Sequence, residues 1–151
     1  MPKVLFVLGG PGSGKGTTCA LIAKTLNFEH VSLGEVVRNY ITDNPTTERT
    51  TRYKQILTEG KLLPCEEITQ ILLEHIADKG TEKGLLIDGY PRSIDQLNIY
   101  VNRTKKTLTE QTNLYMLYMN TPDDVMKERV YGRARDVNDT NIEVVDHRLL
   151  D

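Results

Sequence analysis

The chain contains very little cysteine: Cys19 and Cys65 are the only two among 151 residues. Neither belongs to a CxxC pair or to any ligand cluster visible in the sequence, which speaks against a disulfide scaffold and a zinc module. A reduced, cytoplasmic setting is expected. Long apolar runs are also lacking. Val4–Leu8, near the start, falls far short of the roughly 20 residues of a membrane span, and of a signal h-region. There is no basic excess, because 19 Lys and Arg face 21 Asp and Glu for a net charge of −2. Nucleic acid as a partner therefore gains no support from electrostatics. No repeat, low-complexity tract or linker divides the chain. With 38% hydrophobic and 26% charged residues in 17.1 kDa, one globular domain is expected, burying on the order of 70% of its unfolded surface.

Hydrophobic patterning supplies the elements. Val4–Leu8 is an apolar, β-branched run that ends in Gly9-Gly10-Pro11-Gly12, the mark of a buried strand meeting a turn. Cys19, Ile22, Ala23 and Leu26 recur at helical spacing and predict a helix from about Lys15 to Leu26. Phe28–Ser32 reads as a second strand. Val36, Val37, Tyr40 and Ile41 suggest a helix stopping before Asp43-Asn44-Pro45, and Tyr53, Ile56 and Leu57 another ending at Gly60. Ile68, Ile71, Leu72, His75 and Ile76 mark the clearest helix. Leu85–Asp88 and Leu114–Met119 are further strands, with a helix from Ser93 between them. Thr121-Pro122-Asp123-Asp124 opens a last helix with Thr121 as its expected N-cap. Apolar strands separated by helices imply an α/β fold of three layers around a parallel sheet.

Gly9–Thr17 (GGPGSGKGT) stands between a strand and a helix, where a P-loop has mechanical meaning. Glycines let successive backbone N–H groups converge on phosphate, the helix N-terminus adds partial positive charge, and Lys15 reaches the β- and γ-phosphates. Gly16 occupies the position where a P-loop usually has Ser or Thr, and the hydroxyl follows at Thr17. The expected ATP-binding set is Gly12, Ser13, Gly14, Lys15, Gly16 and Thr17.

With Gly and then Thr after the lysine, this element resembles that of the nucleoside monophosphate kinases, above all adenylate kinase and UMP-CMP kinase. The likeness continues in the family's order from Lys3 to Leu149. Asp88-Gly89-Tyr90-Pro91-Arg92 is similar to the family's "DG[FY]PR". An acid at the end of an apolar strand can hold Mg²⁺, directly or through water, and Arg92 offers a fork for bidentate phosphate binding. An Asp88–Arg92 ion pair at a turn is the plainer alternative. Ser32–Arg38 resembles "S[TA]GD[LM]LR". The resemblance implies that Arg38 grips the acceptor phosphate, and Leu33 stands where a smaller residue lines the base pocket. Glu59–Pro64 resembles "xGxLVP", whose backbone at Lys61, Leu62 and Leu63 closes over the acceptor; a helix C-cap at Gly60 followed by a proline stop explains the same residues. Gln96 lies where adenylate kinases read adenine and UMP-CMP kinases tend to carry Asn. It also lies three residues after Ser93, as a capping box requires.

Arg129, Arg133, Arg135 and Arg148 crowd the last part of the chain. Bringing two nucleotides together costs ~4 kcal/mol per close charge pair at an effective dielectric of 20, so fixed cations are needed; a solvated charge cluster is the alternative. The resemblance assigns Arg129 to the ATP base and Arg133 to the donor phosphates. It sets Arg135 and Arg148 over the transferring group and the acceptor, as catalytic residues with Lys15, Arg92 and Arg133. It implies a P-loop NTPase fold in one domain, 1–151, with a core at 1–31, 64–131 and 142–151. A helical arm for the monophosphate (32–63) and a short, zinc-free lid (132–141) complete it. The family's last strand and helix have no counterpart before Asp151, so the sequence is expected to be a C-terminally truncated member, with the sheet edge beside Leu114–Met119 open unless a partner covers it. The expected activity is transfer of the γ-phosphoryl group of Mg·ATP to a nucleoside monophosphate, AMP first, by a monomer. UMP/CMP kinase and a binding module without turnover are the alternatives.

Overall fold

The computed structural model describes residues 3–77, 79, 83–105 and 113–133. Strand β1 (Lys3–Leu8) leads to helix α1 (Lys15–Leu26), strand β2 (Glu29–Ser32) and helices α2 (Leu33–Asp43), α3 (Glu48–Thr58) and α4 (Cys65–Ala77). Strand β3 (Leu85–Asp88), helix α5 (Ile94–Thr104), strand β4 (Asn113–Tyr118) and helix α6 (Asp123–Arg133) follow. All strand pairs are parallel, in the order β2-β3-β1-β4.

The apolar strands are explained by burial on both faces. Leu5 and Val7 of β1 and Leu86 of β3 pack with Cys19 and Ile22 of α1. Their strand neighbours Val4, Phe6, Leu85 and Ile87 face the other way, onto Ile68, Ile71 and Leu72 of α4 and Tyr100 of α5. The connection from β1 to β2 crosses the sheet in one direction and the later ones return, so right-handed crossovers put α1 and α4–α5 on opposite faces. The result is the expected three-layer α/β sandwich.

Residues 32–63 share this core. Leu33, Val36 and Val37 of α2, Tyr53 of α3 and Leu63 are buried in the same cluster as Phe6 and Ile87. The Arg49 guanidinium lies over the Tyr40 and Tyr53 rings at 5.3 and 5.5 Å from their centroids. Helix α3 ends in a Schellman motif, with Lys61 N–H donating to Ile56 O (3.0 Å) and Gly60 N–H to Leu57 O (3.1 Å). Gly60 has φ 72°, the left-handed conformation this cap requires. Pro64 then accepts the first bonds of α4 through its carbonyl, so the cap-and-stop reading of Gly60 and Pro64 holds.

One boundary differs from expectation. Helix α6 starts at Asp123, with Met126 N–H donating to Pro122 O at 3.0 Å. Thr121 does not cap it; its hydroxyl donates to Ser13 O at 3.0 Å. A tertiary partner outcompetes the local one. On β4, Leu114, Tyr115, Met116 and Tyr118 are exposed, and no strand among the described residues pairs with its outer edge.

Candidate active site

The carboxyl ends of β1, β3 and β4 converge on one rim. Met119 N–H donates to Leu8 O (2.8 Å) and Gly89 N–H to Val7 O (3.2 Å), extending the sheet ladder into the loops. The loop after β1 is built from left-handed glycines, Gly12 at φ 78° and Gly14 at φ 95°. A Cβ on Gly12 would sit 2.4 Å from Met126 O, so the loop can approach α6 only without a side chain.

Protein donors claim the carbonyls of this loop. Lys15 Nζ donates to Gly9 O and, at 2.9 Å, to Gly10 O. Arg129 Nη1 reaches Gly12 O at 3.2 Å, and Thr121 takes Ser13 O. In a planar trans peptide the N–H points opposite to the C=O, so tying the carbonyls down turns the amides the other way. The Ser13 N–H is taken by Gly10 O at 3.2 Å and Pro11 has none, so the nest for anionic oxygens at the start of α1 is formed by the other amides. Ser13 is buried, and its hydroxyl has no hydrogen-bond partner. Gly16 and Thr17 are exposed at the head of the helix.

Asp88 ends β3, beside this loop. Burial pushes its carboxyl above the ordinary carboxylate range, against the pull of Lys15, His30 and Arg92; Glu35 adds to the rise. Its Oδ1 is buried without a hydrogen-bond partner. No ion pair joins it to Arg92, whose Nε donates to Gly89 O at 3.2 Å; the nearest basic atom is His30 Nε2 at 4.0 Å. The site therefore holds an acid with an unsatisfied oxygen, which suits a cation held by phosphates. Arg92 is left with its guanidinium exposed.

Arg38 is also exposed, and its side chain makes no hydrogen bond or ion pair with the described residues. Its Nη1 lies beside Gly34, as Nη2 of Arg92 lies beside Gly89. Because Ser32 pairs with Asp88 in register, the two guanidinium groups flank adjoining strand ends. Gln96 is buried, and its Oε1 accepts from Arg92 N at 2.8 Å while its own N–H donates to Ser93 Oγ at 3.2 Å. This is a capping arrangement whose return bond reaches Arg92, one residue beyond the Ser93 of a standard box. Tyr90 OH donates to Gln96 O (2.7 Å) and meets Thr69 Oγ1 (2.8 Å), fixing the turn from below.

Other expected residues lie apart. Leu33 and Leu63 are core residues, Leu62 is exposed, and Lys61 pairs with Glu59 at 2.7 Å. Arg133 ends α6, but its side chain lies outside the described residues, as do Arg135, Arg148 and the expected lid beyond 133.

The fold also brings Cys19, which belongs to no ligand cluster visible in the sequence, beside His30 and Asp88. Cys19 Sγ, a His30 ring nitrogen and an Asp88 oxygen all lie within 4.8 Å of one another. Burial, with Asp88 adding to it and Lys15 opposing, pushes the Cys19 thiol up to about 11. Three residues distant in sequence meet because α1, β2 and β3 are spatial neighbours, and no spacing rule announces that.

The sequence was compared with known proteins. A family profile described as adenylate kinase matches residues 7–151. UMP-CMP kinase 3 of Arabidopsis thaliana is 35% identical over 98% of this chain and 69% of its own length. Adenylate kinase 1 of Synechocystis is 34% identical over 99% of the chain and 77% of its own length. Human adenylate kinase isoenzyme 1 is 32% identical over 97% and 73%.

Proposed function

This chain belongs to the adenylate kinase family of nucleoside monophosphate kinases, and from that premise we propose that it moves the γ-phosphoryl group of ATP reversibly onto AMP. The observation that carries the reading is the placement of the Gly9–Lys15 nest against Asp88 and two exposed arginines on one rim. The acceptor is itself an anionic phosphate oxygen, so no side-chain nucleophile or general base is needed. Positioning and charge neutralisation do the catalysis.

Lys15 exchanges its loop carbonyls for the β- and γ-phosphates of the donor, over the amides of Gly12–Thr17, with Arg129 beside the loop. Arg38 and Arg92 hold the acceptor phosphate from adjoining strand ends. Arg133, Arg135 and Arg148 supply the remaining cations, with the arm at 32–63 and the lid at 132–141 closing to exclude water. Asp88, with its unpartnered Oδ1, fits as the residue that positions Mg²⁺ through water; the ion, bound with ATP, shields phosphate charge. The enzyme acts as a cytoplasmic monomer. Among the described residues no helix is long and apolar enough to cross a membrane.

Gln96 supports AMP, because an amide pairs with both the N6–H₂ donor and the ring acceptor of adenine. Its Oε1 already accepts from Arg92 N, and this observation favours UMP or CMP as the competing acceptor. Direct chromatography of products from ATP with AMP, UMP or CMP decides. The expected order puts AMP first in kcat/KM; UMP ahead of AMP overturns the acceptor, and nucleotide binding without any product overturns the enzyme. Lys15→Met is expected to lower turnover by orders of magnitude with the circular dichroism spectrum unchanged.

A further inference from the structure

Cys19, His30 and Asp88 offer a thiol, an imidazole and a carboxylate from three separate elements, with donor atoms all within 4.8 Å. That mixture of sulfur, nitrogen and oxygen suits Zn²⁺ and its borderline-soft relatives, whereas Mg²⁺ and Ca²⁺ prefer oxygen throughout. His30 Nε2 and Asp88 Oδ1 are both buried and without hydrogen-bond partners. An unsatisfied buried polar atom is destabilising, and one cation between these groups relieves both. Zinc bonds of about 2.0–2.3 Å place tetrahedral ligands roughly 3.3–3.8 Å apart. His30 Nε2 and Asp88 Oδ2 stand 4.0 Å apart, so small side-chain rotations close the set.

We propose that Cys19, His30 and Asp88 form a binding site for a zinc-class divalent ion, with the fourth position open to water. On binding, the Cys19 S–H bond breaks, its proton passes to solvent, and the sulfur electron pair forms the metal bond. Occupancy draws Asp88 out of its place beside the phosphates, so the ion inhibits phosphoryl transfer. That consequence, unlike the site itself, rests on the kinase reading above.

The full chain, free of nucleotide, is titrated with Co²⁺ and followed by absorption. The expected result is one equivalent bound with a thiolate-to-cobalt charge-transfer band, displaced by Zn²⁺, retained in Cys65→Ser and lost in Cys19→Ser. His30→Ala, at a half-buried position, is expected to weaken Co²⁺ at least tenfold, and it decides the matter if Cys19→Ser does not fold. No band in folded protein, or a band that survives Cys19→Ser, overturns the site. In product chromatography, Zn²⁺ is expected to inhibit the unmodified chain reversibly with a chelator and to spare any turnover of Cys19→Ser; equal inhibition of both overturns the inhibitory role. A band in a protein without turnover leaves the site standing and removes the kinase reading instead.

Discussion

Asp88 shows how a candidate site residue is held at a cost to the fold. Its carboxyl is raised because burial outweighs the attraction of Lys15, His30 and Arg92. An acid whose folded pKa exceeds its unfolded value, ordinarily 3.8, binds more protons folded than unfolded between the two. Stability therefore falls as pH rises through that window, and the penalty is fully present above the folded value. Asp88→Asn is expected to raise Tm at about pH 7, with the gain shrinking toward about pH 4, while lowering turnover. Thermal denaturation across pH checks the first effect and product formation the second. A lower Tm at neutral pH contradicts the dominance of burial. The type and end-of-strand position of this residue were legible in the sequence; its unpaired oxygen was not, because pairing depends on what β2 and α1 bring beside it.

The elements meet tightly in two places. Gly12 presses against α6 so closely that a methyl group would overlap Met126 O at 2.4 Å, and its φ of 78° is left-handed. Gly12→Ala is expected to lose about 1–2 kcal/mol for the backbone alone, more with the clash, and to weaken ATP binding, seen in denaturant unfolding and calorimetry. Gly16→Ala is the contrast. Nothing lies within 4 Å of its added carbon, and alanine in α1 is expected to gain about 0.5–1 kcal/mol. Both glycines belong to one motif in the sequence, and only the packing of α6 separates them. Beneath the turn after β3, Tyr90 OH joins Gln96 O to Thr69. Thr69 keeps its bond to Cys65 O at 2.7 Å, so Tyr90→Phe is expected to cost about 0.5–1.5 kcal/mol for the lost hydrogen bond, again read from denaturant unfolding. The Thr121 hydroxyl makes the same point: a good N-cap residue by type, it bonds to Ser13 O because that carbonyl lies within reach.

At the scale of the molecule, the helices at 32–63 bury Leu33, Val36, Val37 and Tyr53 in the same cluster as Val4, Phe6 and Ile87 of the sheet, and the proposed function puts the acceptor on their side, at Arg38, and the donor at Lys15. If the proposed function holds, two adenosines joined by a polyphosphate satisfy both sides at once. At 100 times its Kd such a ligand adds about 2.7 kcal/mol of stability, which for about 150 residues raises Tm by roughly 5–11 °C. At equal concentration it is expected to exceed ATP in a thermal-shift assay. A shift no larger than that of adenosine contradicts the paired-nucleotide arrangement.

Local chemistry decided the element types, their approximate limits and the phosphate loop, because strand burial, helical period and glycine turns each act over a few neighbouring residues. The motif order that carries family membership is likewise written along the chain. Tertiary structure alone decided that Thr121 bonds to Ser13 O, that Arg129 reaches Gly12 O, and that Cys19, His30 and Asp88 share one corner. Those outcomes depend on distances between segments remote in sequence, set by the crossing of helices over a parallel sheet, and no local pattern encodes them.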